Sequence, residues 1–186
     1  MLEIPNMLMI GGNSRNAGKT TLACNIIRKL ANNHDVTALK VTSIRPGESD
    51  LHGHHSAEVF SGYSITEELN SDTHKDTSAM LQAGASRVFY IRTEDNFAEQ
   101  AIRDFLATYN FNQPLVCESR SLRRVLIPGL FLLMMRATAA KPAKDISEYI
   151  AKADKVFTYD KDKLELTDFI DKLYFGNGKI LRNNNL

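Results

Sequence analysis

The sequence predicts a single α/β domain in which a mostly parallel β-sheet carries helices on both faces. Short apolar runs typical of buried parallel strands recur along the chain. Segments with apolar residues at helical spacing alternate with these runs, which favours successive strand–helix–strand units. The chain has 186 residues, a length that suits one hydrophobic core, and no change in composition divides it.

The first strand and the first helix are the clearest elements. Met7 to Ile10 is an apolar run that ends at two glycines, as a buried strand does before a tight turn. From Gly18 onward the apolar residues recur every four positions and predict an amphipathic helix that ends near Asn32. The residues that carry this period are Leu22, Ile26 and Leu30.

The rest of the chain continues the same alternation. Further strands are predicted at 36–41, 87–91, 114–117, 130–135 and 155–159. Further helices are predicted at 76–84, 96–109 and 145–151, and the apolar stripe of the second, which includes Phe97, Phe105 and Tyr109, is expected to face the core. Residues 42–76 form an irregular insertion, within which 63–69 has some strand character, and an insertion of this length is usually functional or mobile.

Composition and charge narrow the classes of function. The formal net charge is +1 and the basic residues form no long run, so a nucleic-acid partner is not expected. The longest apolar stretch, 126–135, is too short to span a bilayer and contains Pro128 and Gly129. Cys24 and Cys117 lie in apolar segments and are expected to be reduced core thiols. The N-terminus lacks the basic start of a signal peptide, so we expect a cytoplasmic protein without a membrane partner.

The segment between the first strand and the first helix carries the strongest functional signal. A turn rich in small residues lets backbone amides converge on phosphate oxygens, and the start of a helix adds unpaired donors. Lys19 would neutralise the β and γ phosphates, and the Thr20 hydroxyl would bind Mg²⁺. We therefore predict a P-loop NTPase fold that binds ATP or GTP. The predicted phosphate-binding residues are Gly12, Asn13, Ser14, Arg15, Asn16, Ala17, Gly18, Lys19, Thr20 and Thr21.

This loop is a variant of the common phosphate-loop pattern. The common pattern has four residues between its two glycines. Five residues separate Gly12 from Gly18, and Asn13 stands where the strict pattern needs glycine. The alternative interpretation is a strand-to-helix turn with an accidental Gly-Lys-Thr string.

Lys40 and Glu118 are predicted to lie at the same edge of the sheet as the loop. Each stands at or just past the end of a predicted strand, and open parallel sheets bind ligands at the carboxyl ends of their strands. Glu118 would hold Mg²⁺ through water or orient an attacking water, and Lys40 would meet a γ phosphate or a substrate anion. The alternatives are a turn cap for Glu118 and a solvated strand end for Lys40.

Two clusters of basic side chains leave alternatives open. The first cluster follows Glu118 and consists of Arg120, Arg123 and Arg124. It either binds phosphate or forms a solvated basic helix face. The second lies in the insertion and either binds Zn²⁺ or Ni²⁺ or belongs to a solvated loop; it consists of His52, His54 and His55.

The nucleotide base cannot be assigned from a motif, because the chain has no N-K-x-D string. Base contacts often follow the late strands of such a sheet. The segments in that position are Lys141-Pro142 and Thr158-Tyr159-Asp160.

The loop spacing and several later segments resemble known families. Five residues between the loop glycines is also the spacing of dethiobiotin synthetase. Four segments resemble the molybdopterin-guanine dinucleotide biosynthesis protein B family in the same order. They are 16–22 beside that family's N-S-G-K-T-T-L, Ala38-Leu39-Lys40, Lys75-Asp76-Thr77 with Gln82-Ala83-Gly84-Ala85, and Val116-Cys117-Glu118. Val41 and Ser119 stand where that family commonly has His and Gly. The chain therefore resembles a relative of protein B more than protein B itself.

The resemblance implies an accessory protein that binds nucleotide, forms a homodimer and assists the enzyme that joins GMP to molybdopterin. Its cofactors would be Mg²⁺ with GTP or ATP, and its catalytic residues would be Lys19 and Glu118. We expect slow hydrolysis, because no arginine finger can be assigned from the sequence. Two alternatives remain: an ATP-dependent ligase like dethiobiotin synthetase with Lys40 in a substrate pocket, and a metallochaperone-like GTPase that uses the histidine cluster.

Overall fold

The computed structural model of the chain describes residues 1–44, 61–109, 112–136, 146–159 and 161–183. The strands in these residues are β1 (Leu2–Gly12), β2 (Thr37–Ile44), β3 (Tyr63–Glu67), β4 (Arg87–Glu94), β5 (Leu115–Glu118), β6 (Leu126–Met135), β7 (Lys155–Thr158), β8 (Leu173–Gly176) and β9 (Lys179–Arg182). The helices are α1 (Lys19–Ala31), α2 (Asp76–Gln82), α3 (Ala98–Tyr109), α4 (Ser147–Ile150) and α5 (Lys163–Asp171), with short 3₁₀ turns at Asp95–Phe97 and Ser121–Arg124.

The main sheet confirms the predicted α/β class with a mostly parallel sheet. Seven strands lie in the order β3-β4-β2-β5-β1-β6-β7, and every pairing is parallel except that of the edge strand β3 with β4. In the register of the central strands, Glu118 pairs with Ile10 on one side and with Lys40 on the other. The ends of β1, β5 and β2 therefore meet at one level of the sheet.

Hydrophobic clusters cover both faces of this sheet. Leu8 and Ile10 of β1 pack into the cluster on the side of α1, α2 and α5. Met7 and Met9 face the opposite cluster, which includes Phe105 of α3. Because both faces of β1 are buried, its sequence is a continuous apolar run rather than an alternating one. None of the described helices has the length and apolar character needed to cross a membrane.

The strand β6 begins at Leu126, four residues before the predicted start. Its pairing with β1 shifts register between Ile4 and Leu8, next to the two prolines at positions 5 and 128. A Cβ atom at Gly129 would lie 2.1 Å from the Pro5 carbonyl oxygen, so only glycine allows the two strands this approach. The Pro128-Gly129 pair therefore forms a bulge inside β6, although the predicted strand began only after this pair.

The C-terminal part contains elements that the sequence analysis did not predict. Helix α5 and the antiparallel hairpin β8–β9 pack against the α1 side through Phe169, Leu173 and Ile180. The hairpin turn is Asn177-Gly178, with φ angles of 52° and 70°. That dipeptide is the strongest short-range hairpin signal, so the sequence did contain the information.

Several predicted boundaries change in the structure. Strand β2 continues to Ile44, three residues into the predicted insertion, and the segment with strand character becomes the antiparallel edge strand β3. The predicted helix 96–109 divides into a 3₁₀ turn and α3. Phe97 was expected to join the core stripe of that helix, but it belongs to the turn and is 36% exposed, so that expectation is wrong.

We predict that Gly129→Ala destabilises the protein by about 2 kcal/mol, because the added methyl group overlaps backbone that cannot move independently of β1. The control is Gly176→Ala, where a Cβ atom would lie 3.6 Å from the nearest side chain. Urea unfolding of the two variants and the parent measures the difference. Equal free energies of unfolding for the two variants would show that the contact with Pro5 does not constrain the fold.

Candidate functional site

The turn between β1 and α1 depends on a glycine at its last position. Gly18 has φ +80°, in the left-handed region that L side chains avoid. A Cβ atom there would lie 2.0 Å from Cδ2 of Tyr159, which follows β7. Asn16 also has positive φ, at 59°. The second glycine of the predicted motif is therefore required by backbone conformation and by the Tyr159 ring.

The first turn of α1 is open to an acceptor. Gly18 caps the helix without a side-chain hydrogen bond, and the turn contains no acidic residue. No described residue accepts a hydrogen bond from the backbone amides of Gly18 to Thr21. Unpaired amides and the helix dipole give this end a partial positive charge. The turn has the properties of an anion-binding site.

Asn13 connects the turn to the neighbouring strand β6. Its backbone amide donates to the Met134 carbonyl at 3.2 Å, and its side-chain amide donates to the Arg136 carbonyl at 3.2 Å. The Arg136 amide donates back to Oδ1 of Asn13 at 3.0 Å. The Asn13 side chain is buried by these contacts. The residue that departs from the strict phosphate-loop pattern thus fixes the base of the loop.

Lys19 reaches back over the loop from the first position of α1. Its Nζ donates to the Ser14 carbonyl at 2.9 Å. A Cβ atom at Gly12 would lie 2.9 Å from Cδ of Lys19, so the first glycine makes room for this side chain. Burial lowers the pKa of Lys19, and the positive charges of Lys40 and Arg120 lower it further, although Glu118 and Asp76 act in the opposite direction.

Four side chains from four elements meet beside the loop. The Thr20 hydroxyl donates to Oε2 of Glu118 at 2.7 Å. Nζ of Lys40 lies 3.6 Å from Oε1 of Glu118 and also contacts the Asp76 carboxylate. Glu118 is 6% exposed, so its charge is compensated by these partners. The structure therefore brings together the predicted residues Thr20, Lys40 and Glu118.

Asp76 was not among the predicted site residues. It is the first residue of α2, and its position beside Lys40 depends on packing that no local pattern reports. Burial alone lowers the pKa of Lys40, but Glu118 and Asp76 together outweigh that effect and raise it above its ordinary value. The one signal for Asp76 was its place in the Lys75-Asp76-Thr77 segment of the resemblance.

The arginines after β5 are not equivalent. Arg124 lies 2.6 Å from Glu148, and Arg123 donates to the Leu126 carbonyl at 3.1 Å. The guanidinium of Arg120 lies over the Tyr149 ring, 5.1 Å from its centroid. These residues lie on and before a 3₁₀ turn rather than on a regular helix, and the side chain of Arg124 is 53% exposed.

Other predicted sites lie wholly or partly outside the described residues. These are the cluster His52, His54 and His55, the pair Lys141-Pro142, and Asp160 of the late segment. Within the described ranges there is no group of three or more His, Cys, Asp or Glu side chains that could hold a metal ion. Cys24 and Cys117 are buried free thiols, as predicted, and burial raises the pKa of both.

The fold defines the chain as an α/β protein with a mostly parallel sheet and a cluster of charged side chains at the carboxyl ends of its central strands. No family model matches the chain, and no curated protein or solved structure is significantly similar to it.

We predict that Lys40→Met destabilises the protein by about 3 kcal/mol, because it leaves the buried Glu118 carboxylate without its closest cation. Adding Glu118→Gln to Lys40→Met should recover part of the loss. The control is Lys75→Met, since the side chain of Lys75 is 65% exposed and its pairing with Glu68 contributes little. Urea unfolding of the four proteins measures these differences, and equal effects at positions 40 and 75 would contradict the role of Lys40.

Proposed function

We propose that residues 12–21 form a phosphate loop in a P-loop NTPase fold, and that the protein binds GTP or ATP with Mg²⁺. The observation that carries this proposal is the open first turn of α1 beside Lys19, with the Thr20–Glu118 pair next to it. Nucleotide phosphates need three features in a binding site. These are hydrogen-bond donors for the phosphate oxygens, a cationic side chain, and a pair of oxygen atoms that can bind a metal ion.

The phosphates would bind to the turn through the unpaired amides of Gly18 to Thr21. Lys19 would exchange its contact with the Ser14 carbonyl for a phosphate oxygen. The lowered pKa of Lys19 supports this step, because burial withdraws solvent from the ammonium group and a phosphate would supply compensating negative charge.

The residues beside the loop fit Mg²⁺. The Thr20 hydroxyl and the Glu118 carboxylate are hard oxygen ligands that already lie 2.7 Å apart. Thr20 would bind the ion directly and Glu118 would hold it through water. When bound, the ion neutralises charge on the β and γ phosphates. Glu118 would also orient the attacking water, and Lys40, whose Nζ lies 3.6 Å from Glu118, would meet a γ phosphate or a substrate anion.

We further propose that hydrolysis is slow and that the protein acts as an accessory protein of molybdopterin-guanine dinucleotide cofactor biosynthesis or a related pathway, as a homodimer. Support comes from the segments that carry the resemblance. Lys40, Asp76 and Glu118 belong to three separate segments of it, and they meet at one point beside the loop. A shared function explains why separate segments with this resemblance converge in space.

We predict that GTP or ATP with Mg²⁺ raises the melting temperature of the parent protein, because a ligand at 100 times its Kd stabilises the native state by about 2.7 kcal/mol. Lys19→Met should abolish most of this shift. The control is Lys29→Met, a change of the same type at the other end of α1. A thermal-shift panel of ATP, GTP, ADP and GDP provides the test. If none of the four nucleotides stabilises the parent protein, the proposal fails.

We predict that Thr20→Val and Glu118→Gln remove the Mg²⁺ dependence of nucleotide binding, because the first removes an oxygen ligand of the ion and the second removes the negative charge that would hold it through water. Binding without metal should change little in Thr20→Val. Calorimetric titration with Mg²⁺ and with excess chelator measures both quantities. Thr167→Val, which removes a hydroxyl that bonds within α5, serves as the control. An unchanged Mg²⁺ dependence in both site variants would contradict the metal assignment.

A further inference from the structure

We propose that Arg120 binds the terminal phosphate of the nucleotide and so allows the site to distinguish triphosphates from diphosphates. This inference rests on the proposed function. It assigns a role to an arginine that no sequence motif identifies as an arginine finger.

The backbone places Arg120 at the edge of the sheet beside the loop. Strand β5 ends at Glu118, and the amide of Ser119 donates to the Ile10 carbonyl at 3.0 Å. This bond holds the chain against the end of β1 until it leaves the sheet. The main chain of Arg120 therefore lies close to Glu118, whose buried carboxylate faces Thr20.

The guanidinium of Arg120 is incompletely satisfied. Its Nη1 atom is buried and has no hydrogen-bond partner among the described residues. One side of the group lies over the Tyr149 ring, which attracts a cation but accepts no strong hydrogen bond. No described carboxylate forms an ion pair with it. A buried guanidinium donor without an acceptor is costly, and an anionic ligand would remove that cost.

The neighbouring arginines have hydrogen-bond acceptors that Arg120 lacks. Arg124 has carboxylate oxygens of Glu148 at 2.6 Å and Asp95 at 3.9 Å. Nη1 of Arg123 donates to the Leu126 carbonyl at 3.1 Å, although its Nε atom is also buried without a partner among the described residues. Both therefore have structural acceptors near the 3₁₀ turn. Of the three arginines in this segment, Arg120 is the one whose guanidinium has no hydrogen-bond acceptor among the described residues.

The location of Arg120 points to the terminal phosphate rather than the nucleoside. Thr20 and Glu118 are the residues that would hold Mg²⁺, which would neutralise charge on the β and γ phosphates. The charge of Arg120 contributes to the lowered pKa of Lys19, so the two cations lie in the same electrostatic environment. The planar guanidinium fork matches phosphate oxygens with two parallel donors. Arg120 thus adds a phosphate-binding cation to the site, on the side where Glu118 lies.

The test compares Arg120→Gln with Arg124→Gln, since both changes remove a guanidinium from the same segment. Calorimetry with Mg²⁺ gives the Kd of a non-hydrolysable triphosphate and of the corresponding diphosphate. For Arg120→Gln we expect triphosphate affinity to fall roughly 10- to 100-fold, the effect of losing a charge-assisted contact, with diphosphate affinity unchanged within about twofold. Arg124→Gln should leave both affinities as in the parent protein.

The outcomes separate this inference from the proposed function. A parent protein that binds neither nucleotide refutes the proposed function. A parent protein that binds both, with equal losses for the two ligands in Arg120→Gln, or with no loss, refutes the role of Arg120 alone. Melting temperatures without nucleotide identify a folding defect. If Arg120→Gln is unfolded, Arg120→Lys replaces it, and its single ammonium should still bind triphosphate several-fold more weakly than the guanidinium fork.

Discussion

The placement of β5 between β1 and β2 is the constraint on which the rest of the site depends. All four residues of β5 are buried, and the register sets Glu118 level with Ile10 on one side and Lys40 on the other. A carboxylate at such a position must be compensated, because burial without a partner is costly. Thr20 and Lys40 provide the compensation. The sheet thus brings a hydroxyl, a cation and a carboxylate together at its carboxyl edge, beside the open end of α1.

The longer loop is compatible with this arrangement because its extra length is absorbed at the strand end. Asn13 continues the contact between β1 and β6, with hydrogen bonds to Met134 and Arg136. The turn that faces the helix end then consists of the later residues, where Gly18 adopts positive φ and Lys19 begins α1. The position of the amides relative to Thr20 and Glu118 is therefore set by Gly18 and the helix, not by the number of residues after Gly12.

The sequence allowed the elements of the central sheet to be predicted, since β1 is a continuous apolar run and α1 has a regular apolar period. It also allowed Thr20, Lys40 and Glu118 to be proposed, because each lies at the end of a predicted strand or the start of a predicted helix. Asp76 and the unequal partners of the arginines could not be predicted. Their contacts join residues far apart in the chain, such as Lys40 with Asp76 and Arg124 with Glu148, and periodicity carries no information about such pairs.

The balance of charge at the edge of the sheet explains why an anion would be the favoured occupant. The cationic side chains there are Lys19, Lys40 and Arg120, whereas the carboxylates are Asp76 and Glu118. Coulomb interactions are stronger in a partly buried site than in water, so an excess of positive charge is costly there. The pKa of Lys19 is lowered mainly by burial, so its ammonium group also lacks full solvation. Phosphate oxygens would neutralise the excess, and in the proposed complex the charge of Mg²⁺ would be balanced by the triphosphate rather than by further residues of the protein.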